Sequence, residues 1–132
     1  LRAAQAGSPP FSNGGRLTGC GCIFSELTVR ADGAIVPCSM LAHQVLGYIN
    51  RDSLQEVWRN SPELASLRGR RAIPLAAFDG CAQCGFAAYC TGNCPGLAYS
   101  LTGAANAPSP DACLSLFLES GGRLPLELEE LP

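Results

Sequence analysis

Eight cysteines in 132 residues constrain this chain more than any other feature. They stand at positions 20, 22, 38, 81, 84, 90, 94 and 113. Four form one run: Cys81-Ala-Gln-Cys84, then five residues to Cys90, then three to Cys94, with Pro95 directly behind. A chain this short buries only part of its surface, so a cross-link or a bound metal would add much to its stability. Whatever the thiols do, the fold has to gather them from distant parts of the sequence.

Local signals say how it could. The length fits one domain. Residues 1–18, rich in Gly, Ser, Pro and Ala, read as a linker or entry segment, residues 19–120 as the domain, and 121–132 as an acidic tail. Glu26–Arg30 and Ala34–Val36 are short β-prone runs around Asp32-Gly33, a dipeptide suited to a hairpin turn with positive φ. That hairpin would hold Cys22 near its start and Cys38 just past its end, side by side. Ser53-Leu-Gln-Glu56 is a capping box opening a helix with Leu54, Val57 and Trp58 on one face. Ser61-Pro62-Glu63 starts a second helix with Leu64 and Leu67 as its apolar face and Gly69 as its stop. Residues 81–96 read as a loop whose Gly85, Gly92 and Gly96 permit close backbone approach. Ser109-Pro110-Asp111 starts a third helix, faced by Leu114, Phe117 and Leu118 and ended by Gly121-Gly122. Cys113 then falls in its first turn, where the dipole favours a thiolate. The expected fold is a small α+β domain with one β-hairpin and about three short helices.

Three chemistries compete for the thiols. An even number suits disulfides, but Cys81-x-x-Cys84 is a short loop to bridge and no export signal opens the chain. Two all-cysteine zinc sites would also consume eight thiolates, and with a single histidine mixed Cys/His sites are nearly excluded. The third is a pair of iron–sulfur clusters, for which the run ending in Cys94-Pro95 has the ferredoxin style of spacing. In two-cluster ferredoxins the cysteine before Pro serves the other cluster. By that logic Cys81, Cys84, Cys90 and Cys113 form one site, and Cys94 joins Cys20, Cys22 and Cys38 on the second. The two sites interlock across the chain.

The pattern Cys22-x10-Gly33-x4-Cys38, then Cys81-x2-Cys84-x5-Cys90-x3-Cys94, then Cys113 resembles the SPASM domain. That domain is the C-terminal extension of many radical S-adenosylmethionine enzymes, and the likeness covers residues 19–118. It implies two auxiliary [4Fe–4S] clusters: cluster I on Cys20, Cys22, Cys38 and Cys94, cluster II on Cys81, Cys84, Cys90 and Cys113. The tight Cys20-x-Cys22 pair lies where spacing varies in the family. The resemblance further implies a radical S-adenosylmethionine catalytic domain as partner, a peptide, protein or cofactor-precursor substrate, a reductant such as ferredoxin or flavodoxin, and electron relay and substrate framing as the role. With no export signal in view, a reducing cytoplasm, where thiols stay available for metal, is the expected setting. The Cys-x3-Cys-x2-Cys triad of the catalytic domain is missing: Cys90-x3-Cys94 starts it, but position 97 is Leu. S-adenosylmethionine and a third [4Fe–4S] cluster therefore belong to a domain other than this one, and this chain is not expected to be catalytic alone. A stand-alone ferredoxin-like carrier and a zinc-stapled interaction module remain the alternatives.

Composition excludes other classes. The net charge is −2, all nine cations are arginine, and no basic stripe with interleaved aromatics suggests nucleic acid. No window approaches the apolar length that spans a bilayer. Arg59, Arg68, Arg70 and Arg71 cluster in one stretch, read as a solvated helix end or as an anchor for an acidic partner. His43 reads as an ordinary polar residue, Trp58 as core packing, Tyr89 and Tyr99 as shields, and Asp79 and Asp111 as turn and cap residues.

Overall fold

The computed structural model describes residues 15–123; the sequence-read entry segment before residue 15 and the tail beyond 123 lie outside the described residues. The chain begins its described course as a strap. Gly15 N donates to Cys90 O at 3.2 Å and Gly19 N to Thr91 O at 2.9 Å. On the strap's other side, Leu17 N donates to Ile73 O at 3.1 Å and Leu75 N to Gly15 O at 2.9 Å. Leu17 is fully buried, so the end of the expected entry segment is built into the domain.

A single helical turn, α1 (Cys22–Ser25), leads into three short strands, β1 (Thr28–Val29), β2 (Ala34–Val36) and β3 (Gly47–Tyr48). The strands form one antiparallel sheet in the order β1-β2-β3, with Thr28 opposite Val36 and Ala34 opposite Tyr48. The β1–β2 hairpin turns where the sequence placed it: Gly33 has φ +84° and Asp32 Oδ1 accepts from Ala34 N at 3.2 Å. All three residues of β2, the central strand, are buried. Strand β3 adds a pairing that the hairpin reading did not contain; two residues are too few to carry an alternation signal.

Helices α2 (Leu54–Asn60) and α3 (Pro62–Gly69) share one residue at their junction. Ser61 N closes α2 onto Val57 O at 3.2 Å, and Ser61 Oγ accepts from Leu64 N at 3.3 Å to open α3. Ser53 Oγ caps α2 through Glu56 N at 3.4 Å, while the Glu56 carboxylate takes Asn60 Nδ2 instead of reaching back. Leu64 and Leu67 are buried as expected, but Leu54 is exposed, so α2 buries only Val57 fully. Helix α3 ends at Gly69, but without a left-handed cap: the Gly69 backbone stays right-handed and the chain continues into a 3-10 turn at Arg70–Ala72.

The loop expected over residues 81–96 gives way at its end to helix α4 (Pro95–Thr102): Pro95 takes the first position and left-handed Gly103 ends it. Helix α5 (Pro110–Glu119) starts at the expected Ser109 and finishes before Gly121, at φ +91°. Its predicted apolar face is not covered: Leu114, Phe117 and Leu118 are all more than two-fifths exposed, and Ala112 is its buried residue. The molecule is thus a mixed α+β domain with a larger helical share than the sequence suggested. Among the described residues no helix is long and apolar enough to cross a membrane.

Candidate metal centres

All eight cysteines are free thiols, and they fall into two groups. In the first, Cys20 comes off the strap at φ +71° and Cys22 opens α1. Cys38 follows β2, and Cys94 caps α4. Cys38 is buried in a cluster with Ile23, Leu41 and Leu67, against which Cys22 also packs. Burial raises the Cys38 thiol's pKa, with Cys20 and Cys94 adding to the rise and the amides of Met40 and Leu41 opposing it. Hydrogen bonding with Glu26, then with Cys20, pushes the Cys22 thiol up to about 12.

In the second group, Cys81, Cys84, Cys90 and Cys113 line one cavity of about 190 Å³ together with Leu75, Phe86 and Leu116. Its walls are nearly all apolar. Consecutive turns deliver the first three thiols: Cys84 N donates to Cys81 O at 3.1 Å, Ala87 N to Cys84 O at 3.2 Å and Cys90 N to Phe86 O at 3.0 Å. Two backbone amides point at sulfur, Phe86 N to Cys84 Sγ and Gly92 N to Cys90 Sγ, each at 3.4 Å. Burial raises the Cys81 pKa, and Cys113, Cys90 and Cys84 add to it. Cys90 is raised by burial and partly relieved by the Gly92 amide. Cys113 lines the cavity from α5 while staying exposed to solvent. The cysteines that act electrostatically on these thiols belong in each case to the same group of four.

Among the described residues, no three His, Cys, Asp or Glu side chains gather tightly enough to hold a single metal ion. The four thiols of the second group instead stand around a space.

The sites are joined through Asn93 and Asp111. Asn93 Nδ2 and Ser109 Oγ both donate to the Asp111 carboxylate, which fastens the start of α5 to the residue before Cys94. The sequence suggested Asp111 as a cap; the cap position is Ser109, and Asp111 stands in the first turn of α5, where it accepts from these two side chains. Asp79 is exposed, and Tyr89 is half-buried. His43 and Tyr99 stack on each other with ring centroids 3.9 Å apart. Trp58 is partly covered by the Arg68 guanidinium, 4.3 Å above its ring. The glycines expected to admit a cluster do something else. Gly92 and Gly96 have no room for a Cβ because Leu17 and Met40 pack against them, and Gly85 faces open space.

The arginine stretch is not a solvated helix end throughout. Arg68 donates to Ile23 O at 2.9 Å and Trp58 O at 2.8 Å, Arg71 lies 3.8 Å over the Phe24 ring, and Arg70 is fully buried. Local sequence gives no sign of these roles, because their acceptors lie up to 51 residues away. Asn93 was also overlooked; Asn after Gly is a recognised left-handed pair, and φ is +54° here.

Against this geometry, a family model describing the SPASM iron–sulfur cluster-binding domain matches residues 20–85. The chain belongs to the SPASM family. It is an iron–sulfur cluster-binding domain. The matched stretch includes Cys20, Cys22, Cys38, Cys81 and Cys84 and ends before the other three cysteines. No curated protein and no solved structure matches the chain.

Proposed function

We propose that this SPASM domain binds two auxiliary [4Fe–4S] clusters and serves a radical S-adenosylmethionine maturase acting on a peptide, protein or cofactor precursor. The observation that carries the reading is the cavity of the second thiol group. Four thiols from a turn-rich segment and a separate helix line one apolar space, and sulfur-directed amides already stand there. That donor set suits a cluster, whose thiolates stand apart around a core, better than a lone tetrahedral zinc, whose thiolates converge.

Cys81, Cys84, Cys90 and Cys113 would hold cluster II, and Cys20, Cys22, Cys38 and Cys94 would hold cluster I. When bound, such clusters supply one-electron transfer, here as a relay away from a substrate radical. The chain's own residues position the thiols, exclude water and lower the cost of thiolate charge. Phe86 N and Gly92 N donate to the sulfurs, and Leu75, Phe86 and Leu116 keep the wall dry. The chain has no Cys-x3-Cys-x2-Cys triad, so S-adenosylmethionine cleavage belongs to a catalytic domain acting with it, supplied with electrons by a ferredoxin or flavodoxin and working in the cytoplasm.

Anaerobic reconstitution tests the reading directly. About eight iron and eight sulfide per chain, in a brown solution, are expected from two four-iron clusters. A folded, colourless chain without iron would refute it. In the full enzyme, Cys84→Ala should abolish turnover while S-adenosylmethionine cleavage without product continues. Undiminished turnover would remove the relay.

A further inference from the structure

Arg70 is fully buried yet has no carboxylate partner: among the described residues the ion pairs join Arg30 to Asp32 and Arg51 to Asp52. A buried guanidinium without counter-charge is costly. Burial lowers its pKa, and the groups that act in the opposite direction are Cys20 and Cys94.

Its hydrogen bonds go to the backbone leading into those same thiols. Arg70 Nη1 donates to Gly19 O at 2.7 Å and to Asn93 O at 3.3 Å, and Nη2 reaches Ala107 O at 3.5 Å. Gly19 and Asn93 directly precede Cys20 and Cys94. Both corners are left-handed at non-glycine residues, with Cys20 at φ +71° and Asn93 at φ +54°. Such conformations persist only where surrounding structure holds them. Gly19 also lies too close to the Asn93 backbone to tolerate a Cβ. One donor remains unspent: Arg70 Nε is buried without a partner. A native domain seldom leaves a charged donor orphaned unless something else completes it.

We propose that Arg70 is the positioning and charge-balancing residue of the first site. Its fork clamps the two peptides that deliver Cys20 and Cys94, and its cation and spare Nε–H offset the negative charge of the cluster those thiolates bind. The inference rests on the two-cluster reading above. A four-thiolate cluster is negative and gains one further negative charge on reduction, so a neighbouring cation favours the reduced form and raises the potential.

The test uses the reconstituted chain, titrated with dithionite and followed by electron paramagnetic resonance. Arg70→Gln should shift one of two midpoints downward and leave the other in place, Arg70→Lys should shift it less, and Arg71→Gln should shift neither. Unchanged midpoints in folded, fully loaded Arg70→Gln would overturn the proposal. Should that variant not load, the native chain labelled with 15N-arginine supplies the answer. Its reduced form should show a nitrogen coupling to one cluster by double-resonance spectroscopy, and no coupling overturns the proposal. A native chain that takes up no iron overturns this inference together with the cluster reading. Two clusters insensitive to Arg70 overturn this inference alone.

Discussion

The two thiol sites are held in opposite ways. The first rests on an apolar floor of Ile23, Leu41 and Leu67, each at most 2 % exposed, beside a three-stranded sheet and a pair of capped helices. The second hangs on consecutive turns, and no residue from 76 to 91 is buried. Burial of apolar area stabilises the first region without any bound group. The second has little of its own, so its order depends on what the thiols hold. One half of the domain is a scaffold, and the other is a binding segment tied to it by the strap and by Asp111.

The largest expected effect follows from that contrast. Removing iron with a chelator should open the second region and spare the first. By hydrogen exchange, amides from Cys84 to Cys90 lose protection, while the Leu46 amide, bonded to Ile35 O at 2.8 Å, keeps it. Equal loss in both regions would erase the distinction. Next is Leu67→Ala, which empties the floor of the first site and should cost about 2–5 kcal/mol by chemical denaturation. Ser61→Ala should cost about 1 kcal/mol or somewhat more, because one hydroxyl caps α3 at a residue whose amide also closes α2.

The smallest effect is a pH dependence of the iron-free chain. Cys38, Cys81 and Cys90 have folded-state pKa values raised above the ordinary 9.0. Below that value both states hold their protons and the stabilisation is fully present. As pH rises past it, the unfolded chain ionises first and stability falls until the folded thiols follow. Denaturation midpoints of iron-free protein should therefore decline from about pH 8 towards about pH 10; a flat profile would show the thiols to be unburied without iron.

What the sequence revealed was what is decided locally. The Asp32-Gly33 turn, the Ser53 and Ser61 caps and the Ser109 start each rest on bonds spanning a few residues, and each stands where the residues put it. Spacing also suggested two sets of four thiols, and Cys81, Cys84, Cys90 and Cys113 line one cavity. The failures are tertiary. Pro95 read as the end of a ligand run because of the cysteines before it, whereas it opens α4, whose Gly96 packs closely against Met40. Leu114, Phe117 and Leu118 have the spacing of a buried face, but nothing among the described residues covers them. Arg70 has no local partner, so its meaning lies entirely in peptides that folding brings to it.

The strap also dictates an order of events. Gly15 and Gly19 are made before the residues that accept their hydrogen bonds, Cys90 and Thr91. Leu17 cannot be enclosed until that later segment has been made, and closing so long a loop is entropically slow compared with forming the hairpin. The sheet and paired helices can thus mature during synthesis, while the leading edge of the domain stays open and is seated last, leaving an interval in which inorganic iron and sulfide can reach the thiols.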